Sequence, residues 1–287
     1  MAMPQSNTEN PAAADRPVKT GVKTAVKTAV KVVLLAGGYG TRLSEETAER
    51  PKPMVEIGGK PILWHIMGKF ALHGLTDFTI ACGYRGEYIK RYFSEFYYQN
   101  ADLSVSLSQG ERVVSNIASP DWTVHCLDTG LDTMTGGRLL HMAGHLREAA
   151  FICTYGDGLC DVDIDALLAF HRSHGRLATV TAVHPPARFG LLELDGDHVT
   201  AFSEKKQTGN DWINGGYFVF EPGLLDYIGG TRSSLESDVL EKVAHDGELR
   251  AFRHNGFFQP MDTLREKNLL EEIWRRGDAP WSHRGPA

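Results

Sequence analysis

The stretch LAGGYGTRLSEETAERPKPM, residues 35–54, sets three glycines, two arginines and a lysine behind an apolar run. Glycines let backbone N–H groups approach an anion closely, and Arg42 and Lys52 bring positive charge beside them. The chemistry this suits is phosphate binding. Two familiar phosphate loops are excluded. There is no G-x-x-x-x-G-K-[ST], and the spacing G-G-x-G is not the dinucleotide fingerprint G-x-G-x-x-G. Nor does a clear acid end the next strand, where a dinucleotide fold would hold a ribose. Each cation has an ordinary alternative: a surface ion pair with Glu45 or Glu46 for Arg42, a solvated loop position for Lys52. Asp157, in TYGDG, falls just past another apolar run and offers a hard oxygen on the same rim.

Short apolar runs must position these residues. KVVLLA (31–36) predicts a buried parallel strand closed by Gly37-Gly38. PILWHIMGKFALH (61–73) has helical spacing, with Pro61 at its start and Gly74 after its end. DFTIACG (77–83) reads as a second strand, followed by a helix over 86–97. SVSLS (104–108) and WTVHCL (122–127) read as two more strands. GGRLLHMAGHLREA reads as a helix and AFICTYGDG as a strand ending in an acid; ALLAFHRSHG and LATVTAV continue the alternation. FGLLELDGDHVTAFSEK then gives short strands around Asp195-Gly196-Asp197, a hairpin signal. YFVFEPGLLDYI and 236–246 return to strand and helix, and a last helix covers 262–276. The pattern predicts an α/β fold: a Rossmann-like, mostly parallel central sheet with helices on both faces, plus a small mixed β insert. Ligands of such sheets bind beyond the carboxyl ends of the strands, where the glycine loop falls.

No Pro/Ser-rich linker interrupts the body of the 287 residues, which favours one domain over two. The net charge of -6 argues against a nucleic-acid partner but not against a nucleotide, which needs only a few local cations. No apolar stretch is long enough to span a membrane. Cys82, Cys126, Cys153 and Cys160 form no C-x-x-C, so free core thiols in a reducing cytoplasm are expected and a zinc site is not. Residues 1–30, with the repeat VKTGVKTAVKTAVK, read as a disordered low-complexity leader, and residues 31–287 as the domain. His171 and His174 read as surface histidines. Asp161, Asp163 and Asp165 lack the turn glycine and distal glutamate of a calcium loop, and read as caps or solvated acids.

LAGGYGTRL followed by RPKPMVEIGGKPIL resembles the sugar-phosphate nucleotidyltransferase family. LSEET, KPMVEIGGKPILWHIM, TGGRL, TYGDG, NGGYFVF and GFFQPMDTLR are similar to its glucose-1-phosphate cytidylyltransferase branch, in order over residues 31–281. The resemblance implies the nucleotide-diphospho-sugar transferase type of fold. It also implies a reaction: CTP and glucose 1-phosphate give CDP-glucose and diphosphate, the sugar phosphate attacking the α-phosphorus in line. By the same resemblance Leu35, Ala36, Gly37, Gly38, Tyr39, Gly40, Thr41 and Arg42 wrap the nucleotide. Arg42 grips the departing β- and γ-phosphates, and Lys52 steadies charge at the α-phosphate. Asp157 and Asp262 are the implied Mg²⁺ ligands, and Gly156 lies against the nucleotide; a helix N-cap is the alternative for Asp262. Thr133 and Arg138, in DTGLDTMTGGR, are implied nucleotide contacts, with a structural ion pair as the alternative for Arg138. Glu204, Lys205, Asn214 and Gly215 are implied to face the sugar phosphate, although Lys206 stands where the family's E-K-P element has proline. A homo-oligomer and a role in deoxysugar synthesis are implied as well.

Three other readings stay open. They are the same reaction on another base or hexose, a non-catalytic paralogue that binds nucleotide sugars, and a nicotinamide dehydrogenase. Intact Arg42, Lys52, Asp157 and Asp262 weigh against the paralogue, and the missing fingerprint against the dehydrogenase.

Overall fold

The computed structural model describes residues 30–47, 49–186, 191–195, 197–203 and 211–283. The leader read over residues 1–30 lies outside the described residues except for Val30. The first strand, β1 (Lys31–Ala36), is buried from Val32 onward. Val32, Leu34 and Ala36 enter one apolar layer, and Val33 and Leu35 enter the other. This alternation is what a strand covered on both faces requires. Parallel neighbours flank it: β2 (Asp77–Cys82) pairs Ile80 with Leu34, and β4 (Phe151–Tyr155) pairs Thr154 with Leu34. Outside β2 lies β3 (Thr123–Asp128), also parallel. On the other side β6 (Ile213–Phe220) runs antiparallel to both β4 and β5 (Ala178–Val183), and β7 (Leu249–His254) closes that edge parallel to β5. The seven strands lie in the order β3-β2-β1-β4-β6-β5-β7. The order turns back between β1 and β4, so the carboxyl ends of those two strands frame the crevice in which such sheets hold ligands. The mostly parallel sheet expected from the sequence is present, and the Leu191–Asp195/His198–Ser203 ribbon forms the small insert.

Helices cover both faces. They are α1 (Ile62–Ala71), α2 (Gly86–Gln99), α3 (Thr135–His141), α4 (Ile164–His174) and α5 (Leu264–Arg276). Ile66 of α1, Ile89 of α2, Leu167 of α4 and Leu270 of α5 enter the first layer. Leu139 of α3 enters the second, with Val239 and Val243. Burying side chains of this size contributes about 1.5–3 kcal/mol each.

Four expectations need correction. The strand read at 104–108 is not in the central sheet: Asp102–Val105 pairs antiparallel with Arg112–Ser115 in a separate ribbon, and all four residues of its first strand are exposed. Its alternating serines cannot furnish the apolar groups that a central parallel strand buries on both sides. The helix read over 236–246 begins as a wide π-type turn, Leu235–Leu240, before one α-helical stretch, Glu241–His245. His171 is no surface residue: it is buried, with its ring between Thr179 and Glu221. Asp161 is half-buried against His254 at 2.7 Å, whereas Asp163 caps α4 as expected.

Trp281 is buried beneath α1, and its Nε1–H donates to His65 Nδ1 at 3.3 Å. That nitrogen therefore accepts, and the His65 Nε2–H donates to the Ile57 carbonyl at 2.8 Å. The ring is locked neutral. Burial holds its pKa below the ordinary value, against the opposing pull of the Ile57 carbonyl and Glu271. The unfolded chain thus binds a proton that the folded chain refuses. Stability from this site is complete above the unfolded histidine value of about 6.5 and is lost as pH falls from there through the lower folded-state value. Urea midpoints should drop as pH is lowered from about 7.5 to 5.5, and His65→Gln should flatten that slope. Equal slopes would remove His65 as a source of the pH dependence.

Candidate active site

A cleft of about 720 Å³ opens at the crevice between β1 and β4. Its floor is the strand-end backbone, where Gly156 N–H donates to the Leu35 carbonyl at 3.1 Å. The glycine loop forms one wall, and Leu43, fully buried, anchors its far end. Gly40 takes φ +64°, a left-handed conformation that favours glycine, and the Thr47 hydroxyl donates to its carbonyl at 3.1 Å.

Arg138 holds the loop from behind. Its guanidinium donates to the Gly37 carbonyl at 3.0 Å, the Gly130 carbonyl at 2.9 Å and Thr129 Oγ1 at 2.6 Å. The residue is 4% exposed. A Cβ added at Gly37 would lie 2.2 Å from Arg138 Cζ, so only glycine permits this approach. Burial lowers the proton affinity of Arg138, while Asp128 is among the groups that oppose the shift. Its hydrogen-bond partners are carbonyls and a hydroxyl. One planar cation with five donors gathers three chain segments, and the loop's N–H groups are left for a ligand.

The acids converge from opposite directions. Asp157 precedes the short strand Gly158–Cys160, and Asp262 follows the strand Phe258–Pro260. These two strands pair antiparallel, Gly158 opposite Pro260, so both acids emerge at the same end. Met261 N–H donates to the Asp157 carbonyl at 2.9 Å and fixes the junction. The cap of α5 is Thr263, in a capping box with Glu266, which frees the Asp262 side chain for the cleft. Lys52, 7% exposed, places Nζ 2.6 Å from Asp157 Oδ2 and 2.6 Å from Asp262 Oδ1. Arg42 Nη1 takes the other oxygen, Asp262 Oδ2, at 2.9 Å. Burial pulls the pKa of Lys52 down, but the two carboxylates outweigh it and hold the ammonium above its ordinary value. Glu46, an expected partner of Arg42, instead bonds Lys267 at 2.6 Å.

The opposite wall contains residues that the sequence did not single out. Glu236, on the π-type turn, accepts from the Tyr155, Thr135 and Ser234 hydroxyls. Burial would raise its pKa, yet these donors hold the carboxyl below the usual range. Burial, then the Glu236 charge, pushes the Tyr155 phenol up. Met134 N–H and Gly137 N–H donate to the Thr231 and Ser233 carbonyls at 3.0 and 3.1 Å, which seats this segment on α3 and brings Arg232 to the cleft. Thr135 and Tyr155 stood inside the quoted TGGRL and TYGDG. Arg232 and Glu236 carried no motif.

Leu35 through Arg42, Lys52, Thr133, Arg138, Gly156 and Asp157 all line the cleft. Asp262 joins them through Lys52 and Arg42. Asn214 and Gly215, on β6, are not among the lining residues; Asn214 reaches the wall through the Tyr155 hydroxyl at 3.4 Å. Glu204, Lys205 and Lys206 lie outside the described residues. The arrangement combines a loop of N–H donors, two cations and two convergent carboxylates. It can bind a polyphosphate and neutralise charge growing on it.

Residues 31–275 match the family described as nucleotidyl transferase. The glucose-1-phosphate cytidylyltransferase of Salmonella typhi is 48% identical over 250 residues, 87% of this chain and 97% of the relative. A mannose-1-phosphate guanyltransferase beta-A of Xenopus laevis is 29% identical over 263 residues, 88% of this chain and 68% of the relative. Among solved structures, HddC from Yersinia pseudotuberculosis aligns with a TM-score of 0.62 at 25% identity, covering 85% of this chain and 99% of that one. A match running from the first residue of β1 almost to the end of α5 takes in the glycine loop, both acids and the sheet that carries them: the chain belongs to the nucleotidyl transferase family.

Proposed function

We propose that this chain is a glucose-1-phosphate cytidylyltransferase, with residues 31–287 as its catalytic unit, converting CTP and glucose 1-phosphate to CDP-glucose and diphosphate. The observation that carries the reading is the 48% identity to the Salmonella typhi enzyme over 97% of its length. The cluster of Lys52, Arg42, Asp157 and Asp262 supplies chemistry suited to it. Transfer of this kind depends on positioning and charge neutralisation more than on acid–base steps.

In this reading the glycine loop receives the nucleotide. Arg42, whose side chain is 72% exposed, turns to the β- and γ-phosphates. Lys52 stays at the cleft and stabilises the α-phosphate as the sugar phosphate oxygen attacks and diphosphate leaves. Asp157 and Asp262 fit Mg²⁺, because their oxygens are hard ligands that converge on one point and Mg²⁺ often takes only one or two carboxylates. When bound, Mg²⁺ would neutralise phosphate charge and orient the triphosphate. Arg138 acts at one remove, by fixing the loop. Thr133 and Gly156 contact the nucleotide, and Glu204, Lys205, Asn214 and Gly215 serve the sugar phosphate. The four free cysteines suit a cytoplasmic enzyme, which we expect to work as a homo-oligomer.

Diphosphate release with Mg²⁺ and glucose 1-phosphate should be strongest with CTP among CTP, UTP, dTTP, ATP and GTP. Release with another triphosphate would keep the reaction and overturn the base; release with none would overturn the reading. Lys52→Ala should lower kcat about 100-fold or more. Truncating a buried ion-pair partner costs about 3–5 kcal/mol, below typical domain stability, so the variant should fold with a lower Tm. Near wild-type turnover would remove Lys52 from the chemistry. Arg138→Lys keeps the charge but loses the fork, and should raise the KM for CTP about tenfold with a smaller change in kcat. An unchanged KM would show that the loop holds its shape without Arg138.

A further inference from the structure

Lys52 does more in this structure than wait for a phosphate. Its ammonium lies at the point where Asp157 and Asp262 converge, 2.6 Å from an oxygen of each. Arg42 takes the second oxygen of Asp262, so neither oxygen of that acid is free. The four side chains form a neutral chain of two cations and two anions. We propose that Lys52 is an internal counter-ion: it holds the acid pair closed, and Asp157 and Asp262 become available to a divalent cation only when nucleotide phosphates draw Lys52 and Arg42 away. This rests on the assignment of the two acids as metal ligands, and it adds an order of events to that assignment.

The surroundings support an exchange rather than simple crowding. The Lys52 side chain is 9% exposed. Its stem packs behind the loop, where a Cβ on Gly40 would sit 3.1 Å from Lys52 Cβ. Lys52 lines the cleft, so the cleft is the direction open to a displaced ammonium. Without an anion there, displacement strands a desolvated charge. With a triphosphate there, the ammonium exchanges two carboxylates for phosphate oxygens. Arg42, much more exposed, moves at little cost and follows the same charge.

The test is a titration of the free protein with Mn²⁺ alone, followed by the electron paramagnetic resonance signal of unbound ion, with no nucleotide or sugar present. Lys52→Met should bind Mn²⁺ at least about tenfold more tightly than wild type, and Lys52→Arg, which keeps the charge, should bind as weakly as wild type. Equal affinity in Lys52→Met and wild type overturns the proposal. Adding Asp157→Asn to Lys52→Met should abolish the gain. A gain that survives places the ion elsewhere, which overturns the metal assignment and this inference with it, while the choice of CTP is left to the triphosphate screen. Should Lys52→Met fold poorly, Mn²⁺ should raise its Tm by more than it raises that of wild type. Equal shifts would again overturn the proposal.

Discussion

A buried ammonium must be paired, and Lys52 draws its partners from parts of the chain that meet only in the folded protein. The lysine follows the loop after β1, Asp157 follows β4, and Asp262 precedes α5. Two carboxylates brought this close would repel strongly without the cation between them. The cation, without them, would not tolerate its burial. The sheet order, the short ribbon and the capping of α5 all bear on this one point. Parallel pairing of β1 with β4 aligns the two strand ends, antiparallel pairing of Gly158–Cys160 with Phe258–Pro260 returns the chain to the same rim, and Thr263 relieves Asp262 of capping.

The glycine loop follows a second, separable logic. Its outward N–H groups are useful only if its carbonyls are held elsewhere. Arg138 and the backbone N–H of Tyr84 both donate to the Gly37 carbonyl, and the Thr47 hydroxyl donates to the Gly40 carbonyl. Each bond holds a loop carbonyl, and in a trans peptide the N–H of the following residue points the opposite way. A lysine in place of Arg138 could not span three segments, because an ammonium lacks the planar fork.

Much of this was legible in the residues. Continuous apolar runs such as KVVLLA and FICTY announce buried strands, and a glycine loop after one of them announces the ligand rim. What stayed hidden was whatever depends on partners remote in sequence. The 104–108 run looks like a strand by alternation, but the strand is Asp102–Val105, exposed throughout in a surface ribbon, and alternation alone does not count buried faces. Glu236 has no local signature, because two of its three hydroxyl donors, Tyr155 and Thr135, lie on other elements. For Asp262 the sequence leaves a helix N-cap as the alternative, and Thr263 holds that place. Arg138, which the family pattern marks as a ligand contact and which lines the cleft, also clamps carbonyls, a role that no local pattern carries.

The one antiparallel strand of the sheet has a consequence for how this architecture can vary. Because β6 runs against β5 beside it, the chain leaves the sheet at Val183 and returns at Ile213, directly opposite. The excursion between them begins and ends at a single seam. Its length and content can therefore change without shifting the register of any strand. The Leu191–Asp195/His198–Ser203 ribbon is in this sense a cassette mounted on a fixed frame. A graft exchanged at this seam would change the excursion and leave the ladder that flanks it intact.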